Sequence, residues 1–112
     1  MKGSRRRIIT KSYVAMLSPM DRRRYTHTKN NGEIVRFTVQ YETLVGDRWL
    51  PVVRYDCAHG VAHKDVLDVR GREEKHLLGM CDLREAIAIA DGDIQHNWER
   101  YKTRFLRAGR HE

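Results

Sequence analysis

At 112 residues, with 40% hydrophobic and 33% charged side chains, the chain has room for one domain with a real core and not for two. It holds neither a bilayer-length apolar run nor a signal-peptide core, and its cysteines, Cys57 and Cys81, lack a C-x-x-C spacing, so a cytoplasmic protein with reduced thiols and no membrane partner is expected. The formal charge of +7 is confined to the start: residues 1–24 hold eight basic side chains against Asp21 alone, and residues 25–112 are balanced.

Residues 1–22 read as a basic, partly ordered N-terminal arm, with a helical turn between Thr10 and Leu17 ahead of Ser18-Pro19. Clustered Arg5, Arg6, Arg7, Arg22, Arg23 and Arg24 would attract nucleic-acid phosphates. The competing interpretation is a solvated terminus. Residues 23–112 then form a single α+β domain. From Arg23 to Lys29, Tyr25 and His27 alternate with Arg24, Thr26 and Thr28. Asn30-Asn31-Gly32 is a turn, and Glu33 to Val45 alternates for thirteen residues with Val35, Phe37, Val39, Tyr41, Thr43 and Val45 on one face.

Gly46-Asp47 suits a type II′ hairpin into Arg48 to Asp56. Strict pairing sets Phe37 opposite Asp56, whereas a one-residue bulge near Pro51 sends Trp49, Val53 and Tyr55 inward. Both registers remain open at this stage. Beyond His59-Gly60 two short segments follow, His63 to Val69 and Arg72 to Leu78. Asp82 with Glu85 then opens a long helix whose apolar stripe is Leu83, Ala86, Ile87, Ala90, Ile94, Trp98, Tyr101 and Phe105. Gly92 inside it suggests a close approach to the sheet or a bend. The expected fold is an antiparallel β-meander of four to five strands with one long C-terminal helix packed on one face.

The densest chemistry lies in Val52 to Asp65. Asp56, His59 and His63 can be read as metal ligands, completed by Asp65 or His76, but D-x2-H-x3-H is no established spacing. The favoured arrangement needs no metal and no cofactor. His59 and His63 exchange protons with a ribose 2′-hydroxyl and a leaving 5′-oxygen, Asp56 orients an imidazole, and Arg54, Lys64 and Tyr55 hold phosphate or a base. A plain alternative assigns Asp56 to turn hydrogen bonds and the histidines to an exposed loop. No G-x-x-x-x-G-K, G-x-G-x-x-G or G-x-S-x-G pattern occurs.

Arg54-Tyr55-Asp56-Cys57-Ala58-His59-Gly60 with His63, the Gly71-Arg72-Glu73-Glu74-Lys75 turn and the closing Asp93 to Trp98 pattern resemble a group of small bacterial and archaeal proteins of unknown function. The central segment also looks like the toxin component of TumE-type toxin–antitoxin pairs. That likeness implies Asp56, His59 and His63 as the residues to carry over and an antitoxin protein as partner. Together these readings lead to a small RNA-directed protein of toxin type, a metal-independent ribonuclease. A non-catalytic module that binds protein or nucleic acid is the alternative, and the oligomeric state stays open, a homodimer included.

Overall fold

The computed structural model describes residues 7–80 and 82–110. Six strands, β1 (Ile8–Ser18), β2 (Asp21–Asn30), β3 (Glu33–Val45), β4 (Arg48–Ala58), β5 (Val61–Leu67) and β6 (Glu73–Met80), precede one helix, α1 (Leu83–Arg110). The strands form one antiparallel sheet in chain order, and α1 lies over β3 and β4 on one face. Among the described residues the other face carries no element. None of their helices is long and apolar enough to cross a membrane.

The sixth strand is β1, where a helical turn was expected. Ile8, Ile9, Thr10, Tyr13 and Val14 are β-branched or aromatic, types that fit a pleated surface better than a helix. Pairing with β2 supplies what the local pattern lacked. The hydroxyls of Thr10 and Thr28 meet at 3.0 Å and those of Ser12 and Thr26 at 3.1 Å. The stretch assigned to an arm thus holds β1 and the first two residues of β2.

The β3–β4 hairpin adopts the bulged register beyond Pro51, but Trp49, ahead of the bulge, pairs with Leu44 and packs under the Arg22 guanidinium instead of turning inward with Val53 and Tyr55. Val45 faces Arg48, but Tyr41 faces Val53, Val39 faces Tyr55 and Phe37 faces Cys57, with Val52 as the extra residue. The reason is burial: this register puts Val53, Tyr55 and Cys57 under the helix, each at most 5% exposed, whereas the unbulged one would put Arg54 and Asp56 there. Gly46 has φ +65° and Asp47 an ordinary φ, in keeping with the expected turn. A second bulge, in the β2–β3 pairing, makes Val35 the extra residue of β3 and leaves it exposed instead of in the core row.

Asp82 caps α1 as its sequence signalled: its Oδ1 accepts from the Glu85 N–H at 2.9 Å and its carbonyl from Ala86 at 3.0 Å. Ala86, Ala90, Ile94 and Phe105 are buried on the sheet, with Leu83, Ile87, Trp98 and Tyr101 at the margins. Gly92 is not a close approach, because a Cβ there would meet no atom within 4 Å.

Polar groups also join helix to sheet. Asp21, 1% exposed, accepts from Tyr41 Oη at 2.6 Å, Ser18 Oγ at 2.6 Å and Lys102 Nζ at 3.1 Å. Burial alone would raise its pKa, but the bonds from Ser18, Tyr41, Thr43 and Lys102 outweigh burial and hold it below the usual carboxylate range.

Candidate functional site

Strand alternation decides which of the chemistry-bearing side chains can meet. Tyr55 and Lys64 are cross-strand partners, and so are Asp56 and His63; successive residues point to opposite faces. Tyr55 and Lys64 therefore turn toward α1, while Arg54, Asp56 and His63 turn to the open face. His59 is in neither row. With Gly60 it forms the two-residue β4–β5 turn, where both have positive φ, +56° and +75°, as a type I′ turn requires. Strand rise puts the His59 and His63 Cα atoms about 10 Å apart.

Lys64 and Tyr55 are engaged inside the fold. Lys64 Nζ donates to Tyr101 Oη at 2.6 Å and lies 3.2 Å from Asp93 Oδ2. Tyr55 and Tyr101 each donate to the same Asp93 oxygen at 2.5 Å, and Asn97 Nδ2 donates to Oδ1 at 2.8 Å. Burial by itself would lift the Asp93 pKa, but the bonds from Tyr101, Tyr55 and Asn97 and the Lys64 charge bring it below normal. Burial also opposes the Lys64 charge, and Tyr101 and Asp93 more than restore it, so its pKa is raised. Tyr55 is pushed up by burial and by its bond to Asp93, which keeps it a neutral donor.

On the open face Arg54 Nε donates to Gln40 at 2.7 Å, and Arg36 reaches Asp56 Oδ2 at 3.4 Å. Asp56 Oδ1 is enclosed without a hydrogen-bond partner, and exposed His63 stands opposite it. Among the described residues no three metal-donor side chains of the His, Cys, Asp or Glu type converge, so the proposed Asp56, His59 and His63 ligand set does not assemble. Cys57 is buried under α1; Cys81 lies outside the described residues.

The arginines of β2 are also committed internally. Arg22 Nε and Arg24 Nε bond Glu42 at 2.6 and 3.2 Å, and the Arg22 guanidinium sits 4.1 Å above the Trp49 ring. Arg23 bonds Asp91 at 2.8 Å and Gln95 at 3.1 Å. Arg7 is exposed, and Arg5 and Arg6 lie outside the described residues.

A different set of groups does converge, where α1 stops short of covering β1 and β2. Tyr13 stacks on Tyr25 with centroids 5.3 Å apart and planes at 22°, and His27 meets the edge of Tyr13 at 6.1 Å. Tyr13 is 56% exposed. These rings floor a groove of about 220 Å³ that also touches Lys29, Phe37 and Ile87. Through Lys29, Ile34 and Ile87 it adjoins a cleft of about 620 Å³ reaching Leu83 and Arg84. Lys11 is the cross-strand partner of His27 and is exposed. Tyr25 donates to Asp91, and burial together with that bond pushes its pKa up to about 12; the ring thus stays neutral at physiological pH. Stacked neutral aromatics edged by lysines can hold unpaired bases and their phosphates. Lys11, His27 and Lys29 are not candidate site residues in the sequence reading, because no local pattern shows that β1 lies beside β2. The alternation of Tyr25, His27 and Lys29 was the available signal.

The chain belongs to the family described as a domain of unknown function (DUF7718), which matches residues 4–111. No curated protein and no solved structure matches it.

Proposed function

We propose that this member of a family of unknown function binds single-stranded RNA without cleaving it, through the groove beside α1. Bases stack on Tyr13, backed by Tyr25 and edged by His27, and the phosphates run past Lys11 and Lys29. What carries this reading is Tyr13, half-exposed and stacked on the more covered Tyr25, flanked by two lysines, neither of which has an ion-pair partner among the described residues. Recognition of this kind is tolerant of sequence, consistent with a chain that has no helix-turn-helix or zinc-finger pattern.

Anisotropy of a short labelled single-stranded RNA tests it. Tyr13→Ala should weaken binding about 5- to 150-fold, because stacking is worth about 1–3 kcal/mol per base. Lys11→Gln and Lys29→Gln should each lower the slope of log K against log salt by about 0.7. Unchanged binding by Tyr13→Ala would refute the assignment.

A second reading, a toxin-type ribonuclease with an antitoxin partner, is favoured by the unpartnered Asp56 oxygen facing His63 beside Arg36. There His63 would take the 2′-hydroxyl proton as the 2′-oxygen bonds to phosphorus and pass it to the 5′-oxygen as that P–O bond breaks, and Arg36 would steady the phosphate. Cleavage abolished by His63→Ala and unaffected by Tyr13→Ala would select it over the binder.

A further inference from the structure

The outer side of β1 is an unguarded sheet edge. Asn31 N–H donates to the Arg7 carbonyl at 2.9 Å, and the β1–β2 register runs unbroken from Ile8 opposite Asn30 to Met16 opposite Arg22. Hydrogen-bonded and non-hydrogen-bonded pairs alternate in an antiparallel ladder. Ile9, Lys11, Tyr13 and Ala15 therefore direct their backbone groups to β2, and Ile8, Thr10, Ser12, Val14 and Met16 direct theirs outward. Among the described residues no strand receives them.

Exposed edges are normally blunted by charge, bulges or proline. The far edge of this sheet follows that rule. β6 carries Glu73, Glu74, Lys75 and His76 in succession, and Leu78 is an extra residue in its pairing with β5. β1 has no bulge from Ile8 to Met16 and Lys11 as its one charge, while Ile8, Ile9, Tyr13, Val14 and Met16 are exposed at 41–59%. The radius of gyration is 15.9 Å, against about 13 Å for a compact domain of this length. Such an extended outline suits a half-assembled sheet.

We propose that β1 pairs antiparallel with β1 of a second copy, about a two-fold axis at Ser12, to make one continuous twelve-stranded sheet. The strand is self-complementary in that register. Ser12 meets Ser12 of the partner subunit, Thr10 meets Val14 of the partner subunit, and Ile8 meets Met16 of the partner subunit, all through outward backbone groups. That gives about ten hydrogen bonds, whereas centring on Lys11 or Tyr13 gives about eight. Lys11 then faces Tyr13 of the partner subunit instead of another lysine, so no like charges oppose each other. An axis perpendicular to the sheet leaves both α1 helices on one side and sets the two tyrosine-floored grooves next to each other.

Sedimentation equilibrium of the full chain at micromolar concentration reads the assembly directly. The wild type should have twice the 13.2 kDa chain mass. Ser12→Lys, which opposes two cations at the axis, should have the mass of one chain with an unchanged circular dichroism spectrum. Val14→Pro should do the same, since it removes an outward N–H and no β1–β2 bond. A monomeric wild type, or a dimer that survives Ser12→Lys, overturns the proposal; should Val14→Pro unfold the hairpin, Ser12→Lys decides alone.

Discussion

Replacing Lys64 with methionine separates a structural ammonium from one that holds phosphate. The side chains of Lys64 and Asp93 are 20% and 18% exposed, with the charges 3.2 Å apart. Methionine keeps the apolar stem against the Tyr55 and Tyr101 rings, which the ammonium approaches to 5.5 and 4.9 Å. Asp93 would retain donors from Tyr55, Tyr101 and Asn97. The loss is therefore that of the ammonium's bond to Tyr101 and its ion pair with an Asp93 that keeps its other donors, about 2 kcal/mol, and not the 3–5 kcal/mol of an abandoned buried ion. Asp93→Asn should be more harmful, about 3 kcal/mol, because it strands the Lys64 ammonium and points an amide donor at hydroxyl donors. The double variant should lose less than the sum by about 1–2 kcal/mol. Urea denaturation measures all three, and in a thermal melt Lys64→Met should lower Tm by roughly 8 °C. If Lys64→Met left stability within about 0.5 kcal/mol of wild type while RNA affinity collapsed, the ammonium would be a ligand contact and the structural account would fail.

Three further outcomes follow from the fold. Gly92→Ala should stabilise by about 1 kcal/mol, since alanine is the better helix former and its Cβ meets nothing within 4 Å; destabilisation in urea would mean an unseen close contact. His59→Asn should keep wild-type stability, because Asn-Gly is the preferred pair for the I′ turn that His59-Gly60 makes; a loss above about 1 kcal/mol would show that the imidazole has a structural partner. Asp21 and Asp93 both have folded pKa values below the unfolded reference of 3.8, so their stabilisation is complete above that value and disappears as pH falls through the lower folded values. Denaturant midpoints should accordingly drop below about pH 4, and less steeply in Asp21→Asn. A transition centred near pH 6 would implicate histidines instead.

The α+β class, the Asn31-Gly32 and Gly46-Asp47 turns, the Asp82 cap and the helix stripe were legible in the letters, because each depends on residues close in the chain. Periodicity over Phe37 to Thr43 and Leu83 to Phe105 reports a buried face directly. β1 was not legible, since Thr10 to Leu17 is a strand only once β2 lies beside it. The tally of four or five strands fell short for that reason. The dense segment from Arg54 to Lys64 was visible as a concentration of functional groups, but density along a strand is not proximity in space.

Sequence alone determined the elements that local pattern and turn chemistry specify, and it placed the chain among small α+β domains. Tertiary structure decided which groups share a face. A bulge at Val52 and the two-residue period of β4 and β5 turned Tyr55 and Lys64 under α1 and left Asp56 and His63 on the other side. The same assembly gathered Tyr13, Tyr25, His27 and Lys29 from separate strands beside the helix. Sheet register is set by the total burial of many side chains at once, which no short stretch of sequence contains.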